Sequence, residues 1–220
     1  MLDGMRTLVI ALVLVSSIAT ADDWPTPHPR GFYGRGMENL VEVFPANSRN
    51  NPSNKTVGFF YQMGYPGTEW KADAKLVWTG PLANTPYEAL VSMDGWLVTF
   101  DDWANLGYNN AVVVYDPKGK LVKSLKLDDL LPEDLRDRDR SVSSRWWRKG
   151  ATYAFDSKRK VVQIQLAKAG VLEVSLVDGK HTYKPTGSLA GASTNDITEI
   201  WELNLRFSSV TDVIAARNKP

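Results

Sequence analysis

The chain has 220 residues, of which 43% are hydrophobic and 23% charged, enough to bury a sizeable core in one domain or a small pair. Its 26 basic and 25 acidic residues leave a formal net charge of +1, which argues against a broad electrostatic footprint for nucleic acid or an anionic membrane. There is no cysteine, hence no disulfide framework, thiol nucleophile or cysteine for lipid anchoring.

Residues 1–21 read as a signal peptide. "MLDGMR" supplies Arg6, "TLVIALVLVSSIA" is an apolar run, and "ATA" places small residues before a polar stretch. The rival is a membrane anchor, but the run is shorter than the ~20 residues a spanning helix needs. The expectation is cleavage after Ala21, no membrane span in the mature chain, and a periplasmic or secreted location.

Residues 22–55 read as an extended lead-in, rich in Pro and Gly over residues 22–36, together with the polar loop Asn47–Lys55. The sequon "NKT" at Asn54 matters only in a eukaryotic host. Residues 56–220 read as a single β-rich domain. "TVGFFYQM", "AKLVWTG", "WLVTFDD", "AVVVYD", "KLVKSLKL", "ATYAFD", "KVVQIQLA" and "VLEVSLV" are short β-like runs bounded by turn signals. "LDDLLPEDLRDRD" is the helical candidate, with Asp128 capping one short turn and Pro132 opening another. After Asn195, "DITEIWELNLRF" alternates like a strand, and "SSVTDVIAAR" could close as a helix.

The chain also compares with itself. "YDPKGKLV" (Tyr115–Val122) and "FDSKRKVV" (Phe155–Val162) share one pattern, weakly echoed by "KADAKLV". The aligned Lys75, Lys120 and Lys160 lie 45 and 40 residues apart. Such spacing predicts an all-β fold of propeller-like antiparallel hairpin repeats of about 40–45 residues, with a β-sandwich or open stacked sheets as the alternative. Asp116 and Asp156 would each begin a tight turn by accepting from nearby backbone N–H groups.

The segment "GWLVTFDDWANLGYNNAVVVYDPKGKLVKSLKLDDLLPEDL", followed by "SVSSRWWR", resembles a group of uncharacterised secreted bacterial proteins across roughly residues 83–149. The resemblance implies blade-like β-structure and export. It carries no activity.

Two clusters are candidate ligand sites. The first is Asp101, Asp102, Trp103 and Asn105. Strand alternation places Asp102 on the face of Phe100 and Asp101 on the face of Leu97 and Thr99. Adjacent carboxylates that diverge cannot act alone as the facing pair of a glycosidase, which stands about 5–10 Å apart. Glu88 or Asp94 could serve as a partner. Asp101, Asp102, Asn105, Asn109 and Asn110 are oxygen donors, but their spacing does not match an EF-hand loop. The second cluster is Arg145, Trp146, Trp147 and Arg148, where one Trp would pack inside and the other could stack on a ligand. With His28 and His181 isolated and no Cys, no metal site or cofactor is expected.

The leading expectation is therefore a binding or scaffold module, more plausibly not an enzyme, with a carbohydrate or protein ligand of unknown identity. The first alternative is a hydrolase of carbohydrate or another envelope polymer, which requires two carboxylates converging in a pocket. The second is an assembly protein pairing through sheet edges.

Overall fold

A computed structural model describes residues 24–34, 38–49, 51–62, 74–167 and 169–185. The signal-peptide segment and the stretch after Asn195 lie outside these residues.

The protein is all-β, and its described residues build three four-stranded antiparallel sheets. Sheet 1 holds β1 (Arg30–Tyr33), β2 (Asn39–Phe44), β3 (Val57–Gln62) and β4 (Lys75–Pro81). Sheet 2 holds β5 (Pro86–Val91), β6 (Leu97–Asp102), β7 (Val112–Tyr115) and β8 (Leu121–Leu125). Sheet 3 holds β9 (Thr152–Asp156), β10 (Val161–Leu166), β11 (Gly170–Ser175) and β12 (His181–Lys184). Each is a meander whose spatial order follows chain order. Two single-turn helices, α1 (Leu127–Leu130) and α2 (Glu133–Arg136), lie between sheets 2 and 3 in the chain. Pro132 caps α2 as its fixed φ allows, whereas Asp128 makes no cap and instead pairs with Arg136 and Arg145.

Sheet 2 is the middle layer. One face, with Ala89, Val91, Leu97, Val113 and Tyr115, packs on Phe32, Val41, Val43, Phe60 and Trp78 of sheet 1. The other, with Leu90, Val98, Phe100, Val112 and Val114, packs on Phe155, Val162, Ile164, Leu172 and Val174 of sheet 3. Burial on both faces is why "AVVVY" is continuously apolar rather than alternating. The chain is all-β as expected and takes the alternative form of stacked sheets, and among the described residues no sheet closes on itself.

The matched turns behave chemically as expected. Asp116 Oδ1 accepts from Lys118 N and Lys120 N, and Asp156 Oδ1 accepts from Lys158 N and Arg159 N. Their places in the sheets differ, however. Asp116 joins the third and fourth strands of sheet 2, and Asp156 joins the first and second strands of sheet 3. The first strands begin at Arg30, Pro86 and Thr152, farther apart than 40–45 residues. The shared motif thus marks a kind of hairpin turn and not a fixed place in each sheet. The lead-in also holds more structure than its composition suggests, since β1 and β2 fall within residues 22–55. The pairing of β1 with β2, and of β2 with β3, supplies the order that the flanking Gly, Pro and Asn residues conceal.

Leu97 and Leu90 are fully buried on opposite faces of sheet 2. Truncating either to Ala should lower unfolding free energy by about 2–5 kcal/mol, whereas Val77→Ala, at an exposed position, should change it by less than about 0.5 kcal/mol. Urea denaturation of the three variants measures this, and equal small losses would contradict the two-faced burial.

Candidate ligand-binding site

The site begins with a break in strand geometry. Asp101 has φ 57°, a left-handed conformation that Asp tolerates better than most residues. The twist swings its side chain off the Leu97–Thr99 face onto the Phe100 face. There Oδ1 accepts from Gly107 N at 2.8 Å and from Trp147 Nε1 at 3.0 Å. Oδ2 accepts from Arg148 Nε at 3.1 Å and from a second Arg148 nitrogen at 2.9 Å. Buried Asn84 holds the local backbone, donating to the Asp101 carbonyl at 2.7 Å and accepting from Thr99 Oγ1 at 2.8 Å.

One carboxylate therefore ties the loop after β6 to the loop before β9. The tie is reinforced by Arg145 N donating to the Leu106 carbonyl at 2.9 Å. Gly107 is required where the loops cross. Its φ is +75°, and an added Cβ would stand 2.6 Å from the Arg145 carbonyl oxygen.

Arg148 is the second hub, with a side chain 7% exposed. Besides Asp101, its guanidinium donates to Glu88 Oε2 and to the Tyr153 hydroxyl, and Tyr153 in turn donates to Glu88 Oε2. It lies 4.5 Å over the Phe100 ring and 5.3 Å over the Trp147 ring. Burial alone disfavours the cation, but Tyr153, Asp101 and Glu88 more than offset it, so the pKa stands above the ordinary arginine value. Burial likewise raises Asp101, against Arg148, Trp147 and Gly107, which lower it. Four N–H donors aim at its two oxygens, so the ionised form is the one that fits. Burial also raises Tyr153, which stays a neutral hydroxyl.

Above this cluster lies a pocket of about 230 Å³ lined by Tyr87, Glu88, Arg145, Trp146 and Lys149, with Asp101 and Arg148 also in its wall. Glu88 Oε1 takes no hydrogen bond among the described residues, which leaves one polar acceptor for a ligand. Of the tandem tryptophans, Trp147 is inside at 7% exposure and Trp146 is half-buried at the pocket. An aromatic cluster continues from Trp146. Trp24 stacks on it at 5.6 Å between centroids, and Tyr87 and Trp103 pack against Trp24 at 5.7 and 6.2 Å.

Five predicted residues thus converge: Asp101, Arg145, Trp146, Trp147 and Arg148. Trp103 joins through the aromatic cluster. Asp102 goes the other way. It accepts from Asn110 at 2.8 Å and lines a separate cavity of about 660 Å³ with Thr56, Leu82 and Tyr115. Burial raises its pKa, aided by the Asp101 charge and opposed by Asn110 and Thr85. The two acids diverge as alternation requires, but each occupies the face expected of the other. Asn105 is exposed at the loop tip and lines neither cavity. Arg145 pairs with Asp128 at 2.7 Å and covers the Tyr108 ring at 4.8 Å. Trp24, Tyr87 and Tyr153 went unselected by sequence. The alternating Pro25, Pro27 and Pro29 after Trp24 are the one available signal, while Tyr87 and Tyr153 sit in ordinary strand contexts.

Among the described residues no group of three or more His, Cys, Asp or Glu side chains could hold a metal. His181 Nε2 donates to the Asp129 carbonyl, a structural contact. Among the described residues no helix is long and apolar enough to cross a membrane.

These features define an all-β stacked-sheet protein with an aromatic and ionic pocket where two inter-strand loops meet. Comparison with protein-family models, curated proteins and solved structures finds no match.

Asp101→Ala should destabilise the fold by about 3–5 kcal/mol, because it leaves Arg148, Trp147 and Gly107 with unpaired buried donors. Arg148→Ala should cost a similar amount, and the double variant less than the sum. A double-mutant cycle in urea measures the coupling, and strict additivity would refute the shared hub. Ala104 has φ 60° without being glycine. Ala104→Gly should therefore raise stability by up to about 1 kcal/mol in thermal unfolding, and a fall would show that its methyl group contributes more than its strain costs.

Proposed function

We propose that this protein is a secreted or periplasmic binding module whose ligand, a carbohydrate or a protein segment, is held at the loop face around Trp146. The observation that carries the reading is the pocket wall itself. A half-buried Trp146 and Tyr87 stand beside a rigid, largely desolvated Arg148–Glu88–Asp101 cluster. Flat rings give contact area at low entropic cost, and fixed polar atoms give orientation. The N-terminal pattern and the resemblance over residues 83–149 support export, and the lack of cysteine is compatible with it.

The hydrolase alternative is weaker. Glu88 and Asp101 do converge in one pocket, yet they converge on Arg148, which lies between them. A general acid or base must exchange a proton with substrate. Asp101 is committed to four N–H donors, and one Glu88 oxygen is committed to Arg148 and Tyr153.

Glycan and peptide arrays should be probed with the wild type and with Trp146→Ala. The expected result is a set of ligands retained by the wild type and lost at least about tenfold in Trp146→Ala, a loss of roughly 1.4 kcal/mol, with far-UV circular dichroism unchanged. Binding indifferent to Trp146, or turnover of an arrayed glycan that Glu88→Gln abolishes, would refute the proposal.

A further inference from the structure

The segment entering sheet 1 reads "WPTPHPR", Trp24 to Arg30. Pro25, Pro27 and Pro29 each fix their own φ and exclude the helical region for the residue before them. Trp24, Thr26 and His28 are therefore extended by covalent geometry, and the stretch favours a polyproline II conformation. Three missing N–H groups also leave it poorly suited to a sheet ladder, and residues 24–29 form no strand.

This segment nevertheless has a well-defined seat. Trp103 Nε1 donates to the Pro25 carbonyl at 2.7 Å. The Trp24 ring stacks on Trp146 with an interplanar angle of 12° and meets Tyr87 edge-on. His28 packs edge-on against Trp103 at 5.7 Å. Arg30 closes the end, with its guanidinium 5.4 Å over Trp103 and an NH1 bond to the Tyr87 carbonyl. An aromatic groove whose indole N–H bonds a carbonyl of a proline-rich strand is a recognised way to bind such peptides, since little conformational entropy remains to be lost.

We propose that the Tyr87–Trp103–Trp146 groove is a docking surface for an extended proline-rich peptide of a partner protein, and that residues 24–29 are its intramolecular occupant. This rests on the binding-module reading and names its ligand class. The seat of the internal segment is incomplete. The Trp24 indole N–H is buried and takes no hydrogen bond among the described residues, so a partner peptide that satisfies this position has an advantage. The internal segment sets a threshold that the partner must exceed, because the apparent affinity falls by the fraction of molecules whose groove is vacant.

The test uses the full chain and the synthetic peptide acetyl-WPTPHPR-amide. In calorimetry, Trp24→Ala should bind this peptide about tenfold or more tightly than the wild type, as expected if the internal segment fills the groove about nine-tenths of the time. Adding Trp103→Phe, which removes the indole donor, should reverse the gain, and a peptide with alanine at each proline should bind poorly to every variant. By NMR, the Trp103 indole proton should exchange slowly in the wild type, quickly in Trp24→Ala, and slowly again once the peptide is added. No tighter binding by a folded Trp24→Ala, equal binding of the alanine peptide, or an indole proton insensitive to Trp24→Ala would each overturn the assignment. If array ligands lost in Trp146→Ala are found while the peptide stays inert, the binding module stands and the proline-peptide assignment falls.

Discussion

The Asp101 carboxylate is the contact on which the loop face depends. It lies in a solvent-excluded position where a lone charge would be untenable. Its only sustainable state is the one in which Arg148, Trp147 and Gly107 all point at it. That demand fixes three things together: the left-handed turn at the end of β6, the inward placement of Trp147, and the approach of the two loops at Gly107. Once Trp147 is drawn inside, its neighbour Trp146 is left at the pocket, and Arg148 is held close enough to recruit Glu88 and Tyr153. The pocket wall is a consequence of satisfying one buried charge.

The stacked sheets make this possible. Sheet 2 is covered on both faces, so the far end of β6 can reach a dry environment on the sheet 3 side while β5 brings Glu88 alongside it. In such surroundings a guanidinium shared by two carboxylates and a phenol is worth more as geometry than as stability. It holds the aromatic rings at fixed positions, as suits a surface that recognises shape. The same sharing explains why two acids facing one pocket are better read as scaffolding than as chemistry.

Much of the architecture was legible in the sequence. Eight of the twelve strands among the described residues correspond to runs of β-branched and aromatic residues bounded by Gly, Pro and Asp, since both pairing preference and turn formation are local properties. The four that escaped are β1, β2, β5 and β12. "RGFY" and "HTYK" are too short to show a period, and "PYEALV" carries Glu88 where an apolar residue would mark the core face. The hairpin motif reports turn chemistry but not a place in a sheet, because an aspartate that accepts two backbone N–H groups serves any antiparallel connection alike.

At the site, the sequence by itself determined that carboxylates, arginines and tryptophans would gather in two loops, and that Asp101 and Asp102 would diverge. It also made residues 24–29 extended, through three prolines whose constraint is covalent. Only the tertiary structure decided which acid faces which layer, since a single left-handed φ reverses the alternation and is set by partners 46 and 47 residues away. Only the tertiary structure chose Trp147 over Trp146 for the interior and seated the proline segment on the aromatic groove. Propensity and turn chemistry act between neighbours in the chain. Satisfying a buried charge is a long-range demand, and its solution exists only when the sheets are in place.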